Sequence, residues 1–351
     1  MQKNMKNICL VILSVMMLVF AVGCGGEKTA QRELNVYNWG DYIDPEVIKD
    51  FEKETGIKVI YDTFATNEDM YVKIKAGGSD YDVAIPSDYM IKRMIKEDLV
   101  EKIDFKNISN YDKIAPRFKN LSFDEKNAYS VPYMWGTVGI IYNKKVVTEK
   151  VDSWQILWNA KYAKQILMLD SPRDSIGITL KMLGYSLNTK DDKELSAAKQ
   201  KLIEQKPLVL AYVVDEVKDK MIAGEAALAV VWSGDAMFMM AKNPDLAYAI
   251  PKEGTNLWFD SLVIPKNAKH KAEAEAFINY LTKPEVSLKN AEYIGYATPI
   301  PDAQAKLQAE IQQNIAAYPG DDILKNTEIF DDLADNLTKY DKLWTEVKAA
   351  R

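Results

Sequence analysis

Apolar and polar residues alternate along this chain in two ways, and each pattern predicts a different element. Short apolar runs predict β-strands, whereas apolar residues that recur three and four positions apart predict helices with one buried face. The runs that predict strands are 34–36, 58–62, 82–85, 132–143, 165–169, 208–212 and 224–235. Helices are predicted to begin after Pro45, Pro86 and Ser153, and to cover 67–76, 195–205, 216–223 and the tail from residue 331. This alternation predicts an α/β fold with mostly parallel sheets.

Aromatic rings and carboxylates gather where the first predicted strand ends. The strand leads through Trp39, Gly40, Asp41 and Tyr42 into a helix that begins near Asp44. Ligands of open α/β sheets bind at this edge. Phosphate sites use Gly-rich loops and helix N-termini, whereas two rings and two acids suit a cation. The alternative is that the rings are core residues and the acids cap the helix. The same mixture recurs at later strand ends, which favours the cation.

Residues 37–43, Tyr-Asn-Trp-Gly-Asp-Tyr-Ile, and then 51–59 resemble the opening of the spermidine/putrescine-binding proteins of bacterial ABC importers. The likeness continues along nearly the whole mature chain. It implies a two-lobed, type II-like periplasmic-binding fold, with a mostly parallel sheet flanked by helices in each lobe and the ligand in the cleft between them. The resemblance implies that the run 132–143 crosses between the lobes, where Gly136 and Gly139 would permit backbone change; an ordinary buried strand is the alternative. The expected N-terminal lobe comprises 33–136 and 258–300, and the C-terminal lobe 137–257 and 301–351.

The resemblance also implies a binding site made of rings and carboxylates from both lobes. Its expected residues are Trp39, Gly40, Asp41, Tyr42, Ser87, Tyr89, Ser171, Asp174, Trp232, Asp235, Trp258, Asp260 and Tyr296. Rings can cover the methylene chain of a polyamine while carboxylates pair with its ammonium groups. Asp235 matches the putrescine-preferring members, with helix capping as its alternative role. Ser171 and Phe330 stand where spermidine receptors carry an acid and a glutamine. Asp88 is interpreted as a helix cap.

The first residues predict export and a lipid anchor. Lys3 and Lys6 precede an apolar run over 8–22 that is short for a membrane span. The run ends before Cys24 in a sequence that resembles the lipobox of bacterial lipoproteins, although Ala21 replaces the usual leucine. We therefore expect a signal peptide over 1–23, an acylated Cys24, a tether over 24–32, and a protein anchored to the outer face of the cytoplasmic membrane. An unmodified Cys24 after ordinary cleavage is the alternative.

Composition narrows the possible chemistry. Hydrophobic residues make up 48% of the 351, which is ample for a buried core, and the formal net charge of −6 argues against a nucleic-acid partner. The single histidine, His270, is predicted to be solvated, which leaves little basis for histidine-dependent catalysis or a zinc site. The expected protein is a monomeric receptor without cofactor, metal or enzymatic activity that delivers a polyamine to an ABC permease. The alternatives are a receptor of the same fold for another small cationic solute and a carboxylate-dependent hydrolase.

Overall fold

The computed structural model describes residues 32–77 and 80–350, with the backbone alone for Asp335. The predicted signal peptide and the lipidation site Cys24 lie outside these residues. None of the helices in this part of the chain combines the length and the apolar character that a membrane span requires.

Ten strands of the described chain form one mixed sheet, in the order β2-β1-β3-β10-β5-β8-β6-β7, with β4 paired to β10 and β9 paired to β5. The strands are β1 (Glu33–Trp39), β2 (Lys58–Phe64), β3 (Val83–Ala84), β4 (Val100–Glu101), β5 (Ser130–Asn143), β6 (Ile166–Leu169), β7 (Val209–Val213), β8 (Leu228–Trp232), β9 (Leu246–Ala249) and β10 (Leu257–Pro265). Strand β1 runs parallel to β2 and β3, and β6 runs parallel to β7 and β8. The predicted α/β fold is therefore confirmed, with antiparallel pairs in the middle of the sheet.

Helices cover both parts of this sheet. The α-helices are α1 (Pro45–Thr55), α2 (Asn67–Lys75), α3 (Asp88–Lys96), α4 (Pro172–Met182), α5 (Asp192–Gln205), α6 (Val217–Ile222), α7 (Ser233–Lys242), α8 (Lys271–Leu281), α9 (Pro284–Ile294), α10 (Pro301–Gln304), α11 (Ala309–Gln312), α12 (Asp321–Leu324) and α13 (Leu337–Ala349). Short 3-10 helices are Phe105–Asn107, Ser109–Lys113, Pro116–Phe118, Trp154–Trp158, Ala160–Tyr162, Lys206–Leu208 and Ala334–Asn336. Helix α1 shows how the sequence sets an element: Asp44 accepts the N–H of Glu46 at its start, Pro45 opens it, and Gly56 ends it at φ 70°.

Strand β5 belongs to two parts of the sheet. Its first part pairs with β10 as far as Thr137, and from Val138 onward it pairs with β8, and further along with β9. We call the strands on the β10 side the first sheet half and those on the β8 side the second sheet half. An added Cβ on Gly136 would lie 2.5 Å from the Trp258 ring, and one on Gly139 would lie 2.3 Å from the Tyr248 ring. The glycines therefore allow close packing where β5 changes partner.

The sheet directions bring the predicted site segments together. Within the first half, Trp39 ends β1, and Ser87 and Tyr89 follow β3. Within the second half, Ser171 follows β6 and Asp235 follows β8. The carboxyl ends of parallel strands share one edge of a sheet, which is where α/β folds bind ligands.

The structure refines the sequence predictions for one side chain and two elements of the fold. His270, predicted to be solvated, is half-exposed and also contacts a buried acid: its Nδ1 lies 3.0 Å from Asp82 Oδ2, and its backbone N–H donates to the same carboxylate. The tail helix begins at Leu337, not at 331. The run 224–235 is a strand only over 228–232, because α7 starts at Ser233.

Candidate ligand-binding site

Asp260 is a buried carboxylate on β10, beside an irregularity in the pairing of that strand with β5. The O–H of Tyr42 donates to its Oδ2 at 2.7 Å, and Tyr42 is held in turn by Tyr133, whose O–H donates to the Tyr42 carbonyl at 2.7 Å. Burial raises the pKa of Asp260 to about 6, although the Ser87 and Tyr42 side chains act in the opposite direction. Its Oδ1 is buried and has no hydrogen-bond partner within the described chain. Such an oxygen is ready to accept a bond from a ligand donor.

Three aromatic rings form a contact group beside this carboxylate. The Tyr296 ring meets Trp258 and Tyr42 edge-on, with centroids 5.1 and 5.7 Å apart. Tyr296 can approach the start of α7 because the facing residue is Gly234, where an added Cβ would lie 2.2 Å from the ring. Burial raises the pKa of Tyr296, and the charges of Asp235 and Asp260 raise it further. Tyr296 therefore lies close to both acids and links the two sheet halves.

Asp174 is the buried carboxylate of the second sheet half. It lies in the first turn of α4, where the Ser171 hydroxyl donates to its Oδ2 at 2.7 Å. Burial raises the pKa of Asp174 to about 6, while Ser171 and the charge of Arg173 act in the opposite direction. Its Oδ1 lacks a partner among the residues that the structure describes and is out of contact with solvent. Asp174 and Asp260 therefore each present a buried oxygen that can accept a bond.

Asp235 differs from these two acids, because a cation of the chain lies beside it. Lys218 Nζ is 3.7 Å from Asp235 Oδ1, and the side chain is 13% exposed. Burial raises the pKa of Asp235 to about 6 against the charge of Lys218. Helix α7 has Trp232 at its N-cap position and no side-chain cap. The N-cap role considered for Asp235 is therefore not the one that the structure shows.

Asp88 is a buried acid that the sequence reasoning left outside the site. The prediction that it caps a helix is wrong: Ser87 holds the N-cap position, and Asp88 is the first residue of α3. Its Oδ1 accepts the Tyr89 N–H at 2.7 Å and its Oδ2 accepts the Phe259 N–H at 3.0 Å. Burial raises its pKa to about 8. The signal that could have revealed it is its position in the turn after β3, between two expected site residues, Ser87 and Tyr89.

Arg173 is a second buried charge that was not counted in the site. Its guanidinium donates to the Asp331 carbonyl at 3.2 Å and to Asn188 Oδ1 at 3.0 Å. It lies over the Phe330 ring at 4.3 Å and the Tyr89 ring at 5.3 Å. Because Tyr89 belongs to α3 of the first sheet half, this stack joins the two halves. The ion pair Lys92–Asp331, at 2.6 Å, lies along the same boundary.

The remaining expected residues are placed less centrally. Trp39 is half-buried, and its Nε1 donates to the Ile85 carbonyl at 2.8 Å. Trp232 is also half-buried, at the end of β8. Gly40 and Asp41 are exposed, and Asp41 has a left-handed φ of 51°. The structure therefore does not bring Gly40 and Asp41 into the buried group, and their contribution to binding stays a prediction. No group of three or more potential metal-binding side chains occurs within 32–77 and 80–350.

Two features define the class of this protein. The sheet has two halves that share one strand, and buried acids and rings lie at the carboxyl ends of its strands. Both are typical of two-lobed receptors that bind a small solute between the lobes. The sequence comparison agrees. Residues 46–319 match the model of the bacterial extracellular solute-binding proteins, and the chain belongs to that family.

Individual relatives cover almost the entire chain. The spermidine/putrescine-binding periplasmic protein of Escherichia coli K12 is 38% identical over 320 residues, which are 91% of this chain and 92% of that protein. Among solved structures, the spermidine/putrescine ABC transporter substrate-binding protein PotD of Streptococcus pneumoniae is 45% identical, with a TM-score of 0.82 and coverage of 91% and 99%. The TpPotD lipoprotein of Treponema pallidum is 30% identical, with a TM-score of 0.82 and coverage of 90% and 99%. These likenesses confirm the family and the two-lobed fold expected from the sequence.

Proposed function

We propose that this protein is an extracytoplasmic receptor that binds putrescine, spermidine or both and delivers them to a membrane ABC permease by closure of its cleft. The observation that carries the proposal is the pair of buried carboxylate oxygens, Asp174 Oδ1 and Asp260 Oδ1, that lack hydrogen-bond partners within the described residues. A buried anion needs a cation or a donor. The names of the relatives give the same class of ligand.

The aromatic rings account for the rest of a polyamine. Trp258, Tyr296 and Tyr42 form a continuous edge-to-face group beside Asp260. Methylene groups packed on such rings leave water, and ammonium groups near the ring faces gain on the order of 0.5 to 2 kcal/mol each. A small metal cation would use carboxylates without needing the rings. The combination therefore supports an alkylammonium ligand.

The proposal includes the boundaries of the two lobes given by the sequence and a monomeric protein without enzymatic activity. It also includes acylation of Cys24, which the charged start, the short apolar run and the small residues before the cysteine support. Lipid attachment would hold the receptor on the outer face of the cytoplasmic membrane, next to its permease.

Calorimetric titration of the purified protein with putrescine, cadaverine, spermidine and spermine tests the proposal. We expect saturable binding of at least one of the four, and weaker binding at higher salt because the interaction is ionic. Arginine and glutamate serve as control ligands, since the buried acids would repel a carboxylate. The absence of binding to all four polyamines, in a sample that shows a cooperative thermal transition, would refute the proposal.

A further inference from the structure

Asn256 is a buried polar residue directly before β10, and it is not among the site residues that the sequence predicts. Its side chain lies in a residue that is 3% exposed, and its Oδ1 has no hydrogen-bond partner among the residues that the structure describes. Buried amide oxygens in proteins are normally hydrogen-bonded, so an unpartnered one needs an explanation. One explanation is that its donor belongs to a ligand.

The segment around Asn256 is held by its backbone and by Thr255. The Asn256 carbonyl accepts the Val138 N–H at 3.3 Å, and Thr255 Oγ1 donates to the Val138 carbonyl at 2.7 Å. On the other side of the segment, the Leu257 N–H donates to the Glu328 carbonyl at 2.9 Å, and the Glu328 N–H donates to the Thr255 carbonyl at 3.0 Å. These four bonds fix the backbone without using the Asn256 side chain.

Asn256 faces the same side of the sheet as two residues of the proposed site. Its bond with Val138 continues the ladder between β5 and β10 by one residue, so Asn256 is extended like the strand that follows. Side chains of an extended chain alternate between two faces, and Asn256, Trp258 and Asp260 therefore share one face. Asn256 lies about 13 Å from Asp260 along the strand. It is the end nearer the second sheet half, because Val138 also pairs with Trp232 of β8.

Asp174, from the second sheet half, is the charged neighbour of the Asn256 side chain. Burial raises the pKa of Asp174, whereas the Ser171 hydroxyl, the charge of Arg173 and the Asn256 amide, as a donor, lower it. An amide that donates through its NH2 group keeps its oxygen for a different donor. The two groups are bonded to the same carbon, so Asn256 Oδ1 also lies near Asp174. Two buried, unpartnered oxygens, Asp174 Oδ1 and Asn256 Oδ1, thus meet at one end of the site.

We propose that Asn256 is a specificity-determining ligand contact, whose Oδ1 and the Oδ1 of Asp174 together accept two N–H groups from one ammonium group of the ligand. The inference rests on the proposed function and deepens it. A primary ammonium group has three N–H donors, as in lysine, whereas an ammonium that also carries two methyl groups has one. The pair of oxygens therefore selects primary and secondary amines over tertiary ones. Asp260, with one unpartnered oxygen, can bond to any ammonium that keeps one N–H.

The experiment compares the parent protein with Asn256→Leu, in which a side chain of similar size has no polar atom. Each is titrated in a calorimeter with putrescine, with spermidine, and with the derivative of each that carries two methyl groups on both terminal nitrogens. The variant should bind the unmethylated polyamines about 10-fold to 100-fold more weakly, because it loses a bond to a charged donor. Its affinity for the methylated derivatives should change by less than about threefold, since their one N–H goes to Asp174.

The measured quantity is the preference for unmethylated over methylated ligands, which should fall by about tenfold or more in Asn256→Leu. If the parent excludes methyl groups only because they are bulky, the preference of the variant will equal that of the parent. The loss of the amide donor to Asp174 affects both kinds of ligand alike and does not change the preference.

Gln205→Leu is the matched control. Gln205 is also a buried amide whose Oε1 is unpartnered in the described chain, and its NH2 group donates to the Leu157 carbonyl at 3.1 Å. It ends α5 just before β7, at the edge of the sheet opposite to the site. This variant should keep the affinities and the preference of the parent.

A parent protein that binds the methylated derivatives as tightly as the unmethylated polyamines would overturn the role of Asn256, even if Asn256→Leu does not fold. An unchanged preference in a variant that unfolds cooperatively would overturn it as well. A parent that binds neither putrescine nor spermidine would instead overturn the proposed function.

Discussion

Replacing Asp260 by Asn should weaken ligand binding and, at the same time, remove an unfavourable buried charge from the ligand-free protein. The carboxylate is 6% exposed, its Oδ2 accepts the Tyr42 O–H, and its Oδ1 has no partner among the described residues. Asn keeps an acceptor for Tyr42 but carries no charge. The substitution therefore removes the ionic contact with a ligand and leaves the local geometry largely in place.

The expected loss of affinity follows from the burial of the charge pair. Truncating one partner of a buried, hydrogen-bonded charge pair costs about 2 to 5 kcal/mol, which is about 30-fold to several thousand-fold in the dissociation constant. Both putrescine and spermidine should be affected, because each carries ammonium groups that need a carboxylate partner beside the ring group.

The stability effect has the opposite sign. Burial raises the pKa of Asp260 from 3.8 to about 6. A carboxyl whose pKa is higher in the folded protein stabilises the fold at pH values below 3.8, and this stabilisation is lost as the pH rises through about 6. At pH 7 the ionised Asp260 therefore lowers the free energy of unfolding by about 3 kcal/mol. Asn avoids this penalty, but its unpartnered amide itself lowers the free energy of unfolding by about 1 to 3 kcal/mol. Asp260→Asn should therefore be as stable as the parent or slightly more stable at pH 7. At pH 4, where the parent carboxyl is mostly protonated in the folded protein, the variant should be less stable than the parent.

The assays are calorimetric titration with both polyamines and urea unfolding of the ligand-free protein at pH 4 and pH 7. Asp124→Asn is the control, because Asp124 is equally buried but accepts three backbone N–H groups and the Ser130 hydroxyl. It should lower stability at pH 7 and leave binding unchanged. Parent-like affinity in Asp260→Asn, or a loss of stability at pH 7 as large as that of Asp124→Asn, would refute the reasoning.

Three further predictions concern the acid beside Lys218, the anchor and the cleft. Asp235→Asn should weaken the binding of putrescine more than that of spermidine, since a longer ligand can place its cations elsewhere. If calorimetry gives the affinities of the parent for both ligands, Asp235 has no role in binding and serves only as the partner of Lys218. Cys24→Ser should move the protein from the membrane fraction to the soluble fraction, and unchanged partition on cell fractionation would count against acylation. Saturating putrescine should reduce the radius of gyration in X-ray scattering through lobe closure, and identical curves at full occupancy would contradict closure.

The order of elements was predictable because each depends on residues close in sequence. The helix after Asp44 has its cap, its proline and its terminal glycine within thirteen residues of one another. The strand 132–143 could be recognised because its apolar run is long and contains two glycines. Such local signals fix where strands end, and hence which side chains reach the edge of the sheet.

The contacts that complete the site join residues far apart in the chain, and no local pattern reveals them. Asp88 and Phe259 are 171 positions apart, and Asp82 and His270 are 188 apart. A sequence shows Asp88 after a strand, where a helix cap is the ordinary role of an acid. Its carboxylate accepts one N–H of its own helix, from Tyr89, and one of a distant strand, from Phe259, and the second contact depends on packing that forms only in the complete fold. The start of the tail helix was missed for the same reason, because Leu333 is buried in the core ahead of the helix.

The position of β10 in the sheet has a consequence for how the chain acquires its structure. Strand β10 lies between β3 and β5, which precede it by well over one hundred residues. Until residues 257–265 have left the ribosome or the export channel, β3 and β5 lack the neighbour that joins them, and the sheet remains in two separate parts. Pairings of such long sequence separation form slowly. The two parts of the sheet can therefore be joined only after most of the chain has been synthesised.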